Sequence, residues 1–187
     1  THLGRPPGLP TLPGVEAPAE GGDTLFADMC AAYAALSPTL RAWLDTLVGR
    51  NVSAMVHDAA GAHAAVTGES TRARPAAPSV AEHPVVRVHP VTGRAALFLS
   101  RIHTERFVGM TREESLPMID FLQDFAVRPE RCVRLAWRPG TVAIWDNRSV
   151  QHNPLNDYHG RRREMHRVIL RGERPLGRPT LTTGASR

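Results

Sequence analysis

The sequence predicts a mainly β fold with inserted helices, arranged as a barrel or sandwich with helical cover. Short strand-like runs separated by turn residues fill much of the chain after residue 82, and they do not alternate with full helices. This order argues against a parallel doubly wound sheet. The 187 residues, of which 42% are hydrophobic, are enough for one domain with a sizeable core and too few for two.

The N-terminal part is expected to run from extended chain into a helix. Residues 1–22 contain five prolines, which exclude a helix and favour short extended pieces, with an edge strand at 11–16. Residues 24–36 then place apolar side chains at spacings of three and four, which is typical of an amphipathic helix. Asp23 or Thr24 would cap this helix.

A second short helix and a loop are predicted next. Ser37 and Pro38 are the residue types preferred at an N-cap and a first helical position, and Gly49 is expected to stop the helix. Residues 50–82 are small, polar and aperiodic, so we expect a mobile, lid-like surface loop there.

A hairpin and a third helix are predicted in the middle of the chain. Residues 83–89 and 95–99 are strand-like, and the turn residues 90–93 join them. The segment 111–114 has the pattern of a capping box, and apolar residues at helical spacing follow it over 116–125.

The C-terminal part is expected to return to strands. Three of them are predicted, at 131–137, 142–145 and 163–170. We expect a single domain over residues 1–175, with the lid-like loop inside it, and a disordered tail at 176–187.

Composition argues against two classes of protein. No apolar run approaches the ~20 residues that a membrane-spanning helix needs. All 23 basic residues are Arg, against 18 acidic residues, but they are spread along a chain with only 5% aromatic residues. A nucleic-acid binder usually gathers its charge into a stripe with aromatic residues between. Cys30 and Cys132 cannot form a disulfide framework, so a cytoplasmic protein is the default expectation.

A polar block after residue 144 contains the first candidate site residue. The strand predicted at 142–145 delivers the chain to a turn, and the segment that follows reaches His152. A histidine at the end of a strand can bind a metal or act as a base, but it can also be an ordinary surface or capping residue. The pattern alone leaves both interpretations open.

The last predicted strand carries two arginines on one face. Residues four apart on a strand point the same way, so Arg163 and Arg167 share a face. Two guanidinium groups on one face are costly unless they meet anions, and their paired N–H donors suit carboxylates and sulfonates. The strand is a candidate anion-binding wall, although a solvated strand face explains the pattern nearly as well.

Five segments, in this order, give the sequence a resemblance to a known family. They are GGDTLFADM at 21–29, HPVVRVHPVTGR at 83–94, TREES at 111–115, PGTVAIWDNRSVQH at 139–152 and NDYHGRRREMHRV at 156–168. The chain resembles the taurine/2-oxoglutarate dioxygenase family, also called the TauD/TfdA family, over about residues 1–175. The resemblance implies a double-stranded β-helix, or jelly roll, of which the N-terminal strands are missing from this chain.

The resemblance also implies a chemistry. Members of the family hold Fe(II) with a His-x-Asp…His set and use 2-oxoglutarate and O2 as co-substrates. They hydroxylate a small organic substrate and release succinate and CO2. The protein orients the substrate and keeps water out.

Site residues are implied by their places in the family's motifs. His152 matches the distal iron ligand. Thr24 and Arg163 match the residues that bind the far carboxylate of 2-oxoglutarate, and Arg167 matches the one that meets the anionic group of the substrate. His103 stands near the position of an aromatic side chain that packs against substrate in taurine-type members. No residue is assigned as a catalytic acid or base.

Two of the family's iron ligands have no counterpart. The family's His-x-Asp would lie shortly before Thr1, so we expect the chain to be the C-terminal portion of an enzyme and to be inactive alone. The segment His103-Thr104-Glu105 has a His-x-Glu spacing, but it stands only 49 residues before His152, far closer than in the family. It is therefore rejected as a substitute.

Three hypotheses follow from the sequence. The first is a dioxygenase of a small anionic substrate such as taurine or another sulfonate, a sulfate ester or an aryloxy acid. The second is a catalytically silent jelly-roll fragment or binding module, and the third is an Arg-rich nucleic-acid binder. The sequence favours the first and predicts an enzyme that binds neither nucleic acid nor membrane and forms homo-oligomers when full length.

Overall fold

The computed structural model describes residues 2–53 and 78–179, and within them the chain is mainly β. Its strands are β1 (Pro10–Glu16), β2 (Thr24–Asp28), β3 (Val48–Val52), β4 (Val80–Pro84), β5 (Val86–Val88), β6 (Ala95–Leu97), β7 (Thr104–Phe107), β8 (Cys132–Leu135), β9 (Val142–Ile144), β10 (Val150–Pro154), β11 (Glu164–Met165) and β12 (Val168–Ile169). Its helices are α1 (Met29–Ala34), α2 (Pro38–Leu44) and α3 (Arg112–Ala126), with a 3₁₀ turn at Pro129–Arg131.

Strand β1 lies in the middle of its sheet. It pairs antiparallel with β9 on one side and with β11 and β12 on the other. The strand predicted at 11–16 is therefore present, but the prediction of an edge strand is wrong. The prolines that suggested an edge are tolerated because carbonyl groups supply the pairing, as where Pro13 accepts from the His166 N–H at 3.1 Å.

A second sheet has the strand order β10-β2-β8, and the contacts of Trp137 place it opposite the first. Trp137 lies between the two sheets. On the β2 side, its indole N–H donates to Thr24 at 2.9 Å. On the β1 side, a Cβ added to Gly14 would lie 3.3 Å from the Trp137 ring and 3.4 Å from the Met165 sulfur. The faces that carry Thr24 and Gly14 are therefore the inner faces of a sandwich.

The helix predicted from residue 24 begins five residues later. Strand β2 occupies Thr24–Asp28, and the cap is the Asp28 carboxylate, which accepts from the N–H groups of Cys30 and Ala31 at 2.8 and 2.9 Å. Neither Asp23 nor Thr24 caps the helix. The apolar spacing was ambiguous, and pairing with β8 and β10 on both sides decides in favour of a strand.

Helix α2 begins as predicted, with Ser37 as N-cap and Pro38 at its first position. It ends at Leu44, however, and Gly49 lies inside β3 instead of stopping the helix. A Cβ at Gly49 would lie 3.3 Å from the Thr104 methyl group, so the glycine permits a close approach between β3 and β7.

The predicted loop at 50–82 is partly ordered structure. Strand β3 reaches Val52, and β4 begins at Val80 and pairs with it antiparallel. The remainder of that prediction, residues 54–77, lies outside the described residues. The β5–β6 hairpin is confirmed, with Arg87 opposite Ala96.

The main core lies between α1, α3 and the β5–β6 hairpin. The capping box of α3 is confirmed, since the Thr111 side chain accepts from the Glu114 N–H and the Glu114 carboxylate accepts from the Thr111 N–H. Large, fully buried side chains fill this core: Leu44, Val85, Val86, Leu97, Leu99, Phe107, Ile119 and Leu122.

Two C-terminal expectations are corrected. The strand predicted over 163–170 consists of the two short strands β11 and β12. The tail predicted to be disordered from residue 176 is packed against the protein over 176–179, where the Leu176 carbonyl accepts from the Val88 N–H at 2.8 Å and Arg178 donates to the Tyr33 hydroxyl at 3.0 Å. Residues 180–187 lie outside the described residues.

Candidate active site

His152 lies on the inner face of the β10-β2-β8 sheet. The register places it directly opposite Phe26, with Thr24 two residues away on the same face of β2. Its ring centroid is 4.8 Å from that of Trp145 and 6.3 Å from that of Phe26. Two aromatic side chains therefore hold the imidazole on the inner wall of the sandwich.

The surroundings of His152 favour a neutral imidazole. Its side chain is exposed to solvent, but neighbouring protein atoms desolvate it in part. This partial desolvation lowers the pKa of His152, and the positive charge of Arg167 lowers it further. A neutral imidazole has a free lone pair, which is the form that binds a metal ion.

Thr24 and Arg163 meet around Trp137. Thr24 is buried, and its hydroxyl accepts from the Trp137 indole N–H. The Arg163 guanidinium lies 5.8 Å from the centroids of both the Trp137 and the Tyr158 rings. Through Trp137, a hydroxyl from the sheet that carries His152 and a cation from the segment before β11 therefore share one corner of the sandwich.

The Arg163 guanidinium is only partly satisfied. Its Nε–H donates to the Gly22 carbonyl at 3.1 Å, while its Nη2 is buried without a hydrogen-bond partner. No carboxylate among the described residues pairs with it. Burial lowers the pKa of Arg163, with the Tyr158 hydroxyl acting in the opposite direction, and the group remains a cation at neutral pH. A buried N–H donor of this kind is suited to an external anion.

The glycine pair before Thr24 makes room for this arginine. Gly22 has a φ of +71°, and a Cβ there would lie 3.0 Å from the Arg163 side chain. The Gly22 N–H donates to the Asp157 carboxylate at 2.6 Å, which ties the glycine turn to the segment before β11. Only glycine combines this backbone conformation with so close an approach.

Arg167 shares the inner face, although it lies between two strands. Met165 pairs with Gly14 and Ile169 pairs with Pro10, so the register along β1 is unchanged across the interruption. Arg167 lies halfway between Met165 and Ile169 and therefore points to their side of the sheet. Its side chain is exposed and near enough to influence His152.

His103 is not brought to this cluster. It lies just before β7, where its carbonyl accepts from the Val52 N–H and its ring is 4.9 Å from the ring of His2. The nearby Glu105 carboxylate is engaged in an ion pair with Arg50. Of the five residues predicted for the site, the structure thus places four inside the sandwich: Thr24 and His152 on the β10-β2-β8 sheet, and Arg163 and Arg167 on the segment that pairs with β1. His103 lies in the turn before β7.

The residues present fit part of a metal and co-substrate site. His152 offers one neutral nitrogen ligand, and Arg163 with Thr24 offers donors for a carboxylate. No group of three His, Cys, Asp or Glu side chains that could hold a metal ion occurs within residues 2–53 and 78–179. Sequence reasoning missed Trp137, Gly22 and Asp157, whose roles depend on contacts between distant segments.

Comparison with known proteins decides the family. The family described as "Taurine catabolism dioxygenase TauD, TfdA family" matches residues 1–169. The chain belongs to the TauD/TfdA dioxygenase family. The predicted fold class, a mainly β jelly roll with inserted helices, is also confirmed. A taurine dioxygenase from Burkholderia xenovorans superposes with a TM-score of 0.79 at 36% identity, over 95% of this chain and 56% of that one.

Curated relatives in the TauD/TfdA family include enzymes of sulfate esters. An α-ketoglutarate-dependent sulfate ester dioxygenase from Pseudomonas putida is 39% identical over an alignment of 170 positions that covers 89% of this chain and 56% of that protein. An alkylsulfatase from Acinetobacter baylyi is 37% identical over an alignment of 189 positions that covers 99% of this chain and 56% of that protein. The chain thus spans about half the length of the curated relatives it matches. Within the described residues, no helix is long and apolar enough to cross a membrane.

Proposed function

We propose that the protein is an Fe(II)- and 2-oxoglutarate-dependent dioxygenase that hydroxylates a small anionic organic substrate. The observation that carries the proposal is the half-buried Arg163, whose Nη2 has no hydrogen-bond partner. Its guanidinium lies over the Trp137 ring, and the indole N–H of that ring donates to the buried Thr24 hydroxyl. A dicarboxylate co-substrate would supply the anion that this corner lacks. Membership of the TauD/TfdA family supports the proposal.

Each residue of the inner wall has a distinct role in this proposal. His152 would be one ligand of Fe(II), oriented by its contacts with Trp145 and Phe26. Arg163 and Thr24 would hold the far carboxylate of 2-oxoglutarate, through paired guanidinium donors and the hydroxyl group. When bound, iron would supply the oxidising chemistry, with O2 as the oxidant and 2-oxoglutarate as the co-substrate, and this chain would orient the co-substrate and exclude water.

The substrate class is proposed from Arg167 and from the relatives. A guanidinium on the inner face, beyond the proposed iron ligand, suits a sulfate, sulfonate or carboxylate group. The relatives named above act on sulfate esters, and the neighbouring structure is a taurine dioxygenase. We therefore expect an alkyl sulfate ester or sulfonate to be the substrate. Substrate binding by His103, a cytoplasmic location and homo-oligomer formation stay predictions.

The test uses the complete product of the gene that encodes this chain. The protein is incubated with Fe(II), 2-oxoglutarate and three compounds of one chain length: an alkyl sulfate, an alkyl sulfonate and the neutral alcohol. Succinate is expected to form stoichiometrically with product for at least one anionic compound and not for the alcohol. A His152→Ala variant should abolish it.

The alternatives predict different results. Binding of 2-oxoglutarate without succinate from any compound would favour the silent binding module. Turnover of the alcohol as fast as that of its sulfate would contradict the proposed substrate class. A protein that neither binds nor consumes 2-oxoglutarate would refute the proposed function altogether.

A further inference from the structure

The turn that leads into β10 is held by one carboxylate. Asp146 Oδ1 accepts from the backbone N–H of Arg148 at 2.9 Å and from its Nε–H at 2.7 Å. Asp146 Oδ2 accepts from Nη2 of Arg148 at 2.7 Å and from Nε2 of His89 at 2.8 Å. We call His89, Asp146 and Arg148 the Asp146 clamp. It joins the β5–β6 hairpin to the turn between β9 and β10.

The direction of the His89 hydrogen bond is set by backbone groups. His89 Nδ1 accepts from the N–H groups of Val91 and Thr92 at 3.2 and 3.1 Å, so that nitrogen carries no proton. The proton of the neutral ring is therefore on Nε2, where it is donated to Asp146. Because His89 is only 5% exposed, the hairpin presents this donor in one fixed position.

Asp146 is a strongly held anion. Partial burial acts to raise its pKa, but the hydrogen bonds from Arg148 and His89 outweigh this effect and hold the pKa well below its usual range. The network continues outward, because Arg87 donates to Glu173 at 2.8 Å and Arg148 approaches Glu173 at 3.9 Å. At neutral pH the Asp146 clamp thus contains a charged carboxylate, and hydrogen bonds connect it to the buried His89.

The turn that the Asp146 clamp holds is followed directly by β10, the strand that carries the candidate iron ligand His152. The Asp146 carbonyl accepts from the N–H groups of Ser149 and Val150, which closes the turn at the first residue of β10. His152 follows two residues later. On the other side of the clamp, the Trp145 indole donates to Asn147 at 2.8 Å, and the Trp145 ring contacts His152.

We propose that Asp146, held by His89 and Arg148, is the positioning residue that orients His152 and its Trp145 wall for metal binding. This inference rests on the proposed function, since it takes His152 as a metal ligand. The side-chain hydrogen bonds of Asp146 go to His89 and Arg148 and not to His152. Asp146 acts through the turn and Trp145, in the way that supporting residues around metal sites orient the ligands.

The first experiment compares Asp146→Asn with Asp45→Asn by NMR of the indole N–H groups. Asp45 is the matched control, because it likewise accepts from one neutral side-chain donor, the Tyr33 hydroxyl at 2.8 Å, and pairs with one arginine, Arg178, but lies at the end of α2, away from the inner wall. Asp146→Asn should shift or broaden the Trp145 signal and leave those of Trp43 and Trp137 in place. Asp45→Asn should leave the Trp145 signal unchanged.

The second experiment measures Co²⁺ affinity for the same variants of the complete protein, with Co²⁺ alone as the probe. Only the component of binding that His152→Ala removes is counted. Asp146→Asn should weaken it about ten-fold, the lower end of what loss of a supporting residue costs a metal site. Asp45→Asn should change it less than two-fold.

A pair of variants at His89 keeps the test valid if Asp146→Asn does not fold. His89→Gln retains an N–H donor near the position of Nε2, whereas His89→Leu removes it. The leucine variant should reproduce both effects, and the glutamine variant should stay close to the unsubstituted protein.

Three outcomes would overturn the inference. In the first, Asp146→Asn leaves both the Trp145 signal and the Co²⁺ affinity unchanged. In the second, Asp45→Asn changes both as much as Asp146→Asn does. In the third, His89→Gln and His89→Leu give the same Trp145 signal and the same Co²⁺ affinity. If Co²⁺ binding does not depend on His152 at all, the proposed function fails instead. The Trp145 signal then still decides whether Asp146 positions the turn.

Discussion

Replacing Arg163 with alanine tests the proposed co-substrate site most directly. The Arg163 Nε–H donates to the Gly22 carbonyl and the Tyr158 hydroxyl also interacts with the guanidinium, whereas the buried Nη2 has no hydrogen-bond partner and is left for an anion. Loss of a charge-assisted pair costs about 2–5 kcal/mol, and the lower half of that range applies because Arg163 is only half-buried. At about 1.4 kcal/mol per factor of ten, a loss of about 2–3 kcal/mol weakens 2-oxoglutarate binding roughly 30- to 140-fold.

The assay is an anaerobic calorimetric titration of the complete gene product with 2-oxoglutarate. Arg161→Ala provides a control from the same run of three arginines. Its side chain is 53% exposed and lies 3.8 Å from Glu20, so it does not reach the inner wall. A surface ion pair of this kind is worth little, and the control should bind 2-oxoglutarate within two-fold of the unsubstituted protein.

Two results would refute the reasoning. Unchanged 2-oxoglutarate affinity in Arg163→Ala would show that the free donor of this side chain does not serve the co-substrate. An equal loss in Arg161→Ala would show that the effect reflects overall positive charge. A salt titration separates the second case, because screening weakens a diffuse field far more than a partly buried pair.

Three further predictions follow from particular contacts. Arg167→Ala should raise the KM for the anionic substrate at least ten-fold, as steady-state kinetics would show, and leave uncoupled consumption of 2-oxoglutarate intact. Thr111→Ala removes the N-cap of α3 and should lower the free energy of unfolding by about 1 kcal/mol in urea titrations, whereas Thr111→Ser should not. Because the pKa of His152 is lowered in the folded state, the folded chain binds fewer protons than the unfolded chain just below the ordinary value of about 6.5. The contribution of His152 to the free energy of unfolding is therefore complete above about pH 6.5, and it falls as the pH drops from there towards the pKa of the folded state. In His152→Gln, this part of the pH dependence of the free energy of unfolding should disappear.

Local signals in the sequence predicted local structure well. The Thr111 capping box, the Ser37-Pro38 helix start and the β5–β6 hairpin are present where the pattern places them. Each of these depends on groups within a few residues of one another: the Ser37 hydroxyl accepts from Leu40, and Gly93 supplies the positive φ of the hairpin turn. Nothing distant is needed to specify them.

Strand β2 could not be assigned from local pattern. The apolar residues from Leu25 to Leu36 fit a helical period, but the first part of this segment is hydrogen-bonded to β8 and β10, more than 100 residues later. Pairing on both sides satisfies every backbone group of a short strand, which a first helical turn would leave partly unsatisfied. Helix α1 then begins where Asp28 provides the cap.

Contacts between residues far apart in the sequence also explain why some site residues could not be predicted. Trp137 reaches Thr24 across 113 positions, Arg163 reaches Gly22 across 141, and Gly22 reaches Asp157 across 135. No period or spacing within a segment encodes such contacts. The family resemblance implied that Thr24 and Arg163 bind the same carboxylate, and the fold adds Trp137 as the side chain that links them.

The argument that Arg163 and Arg167 face the same side needed an unbroken strand, and the structure interrupts that strand. It holds nevertheless because β1 carries the register across the gap. Met165 stays opposite Gly14 and Ile169 opposite Pro10, and between them the His166 N–H is still bound by the Pro13 carbonyl. Alternation depends on this register and not on continuous strand hydrogen bonding, since a slip of one residue would turn Arg167 to the outer face. The inner position of Arg167 is thus a property of β1 as much as of its own segment.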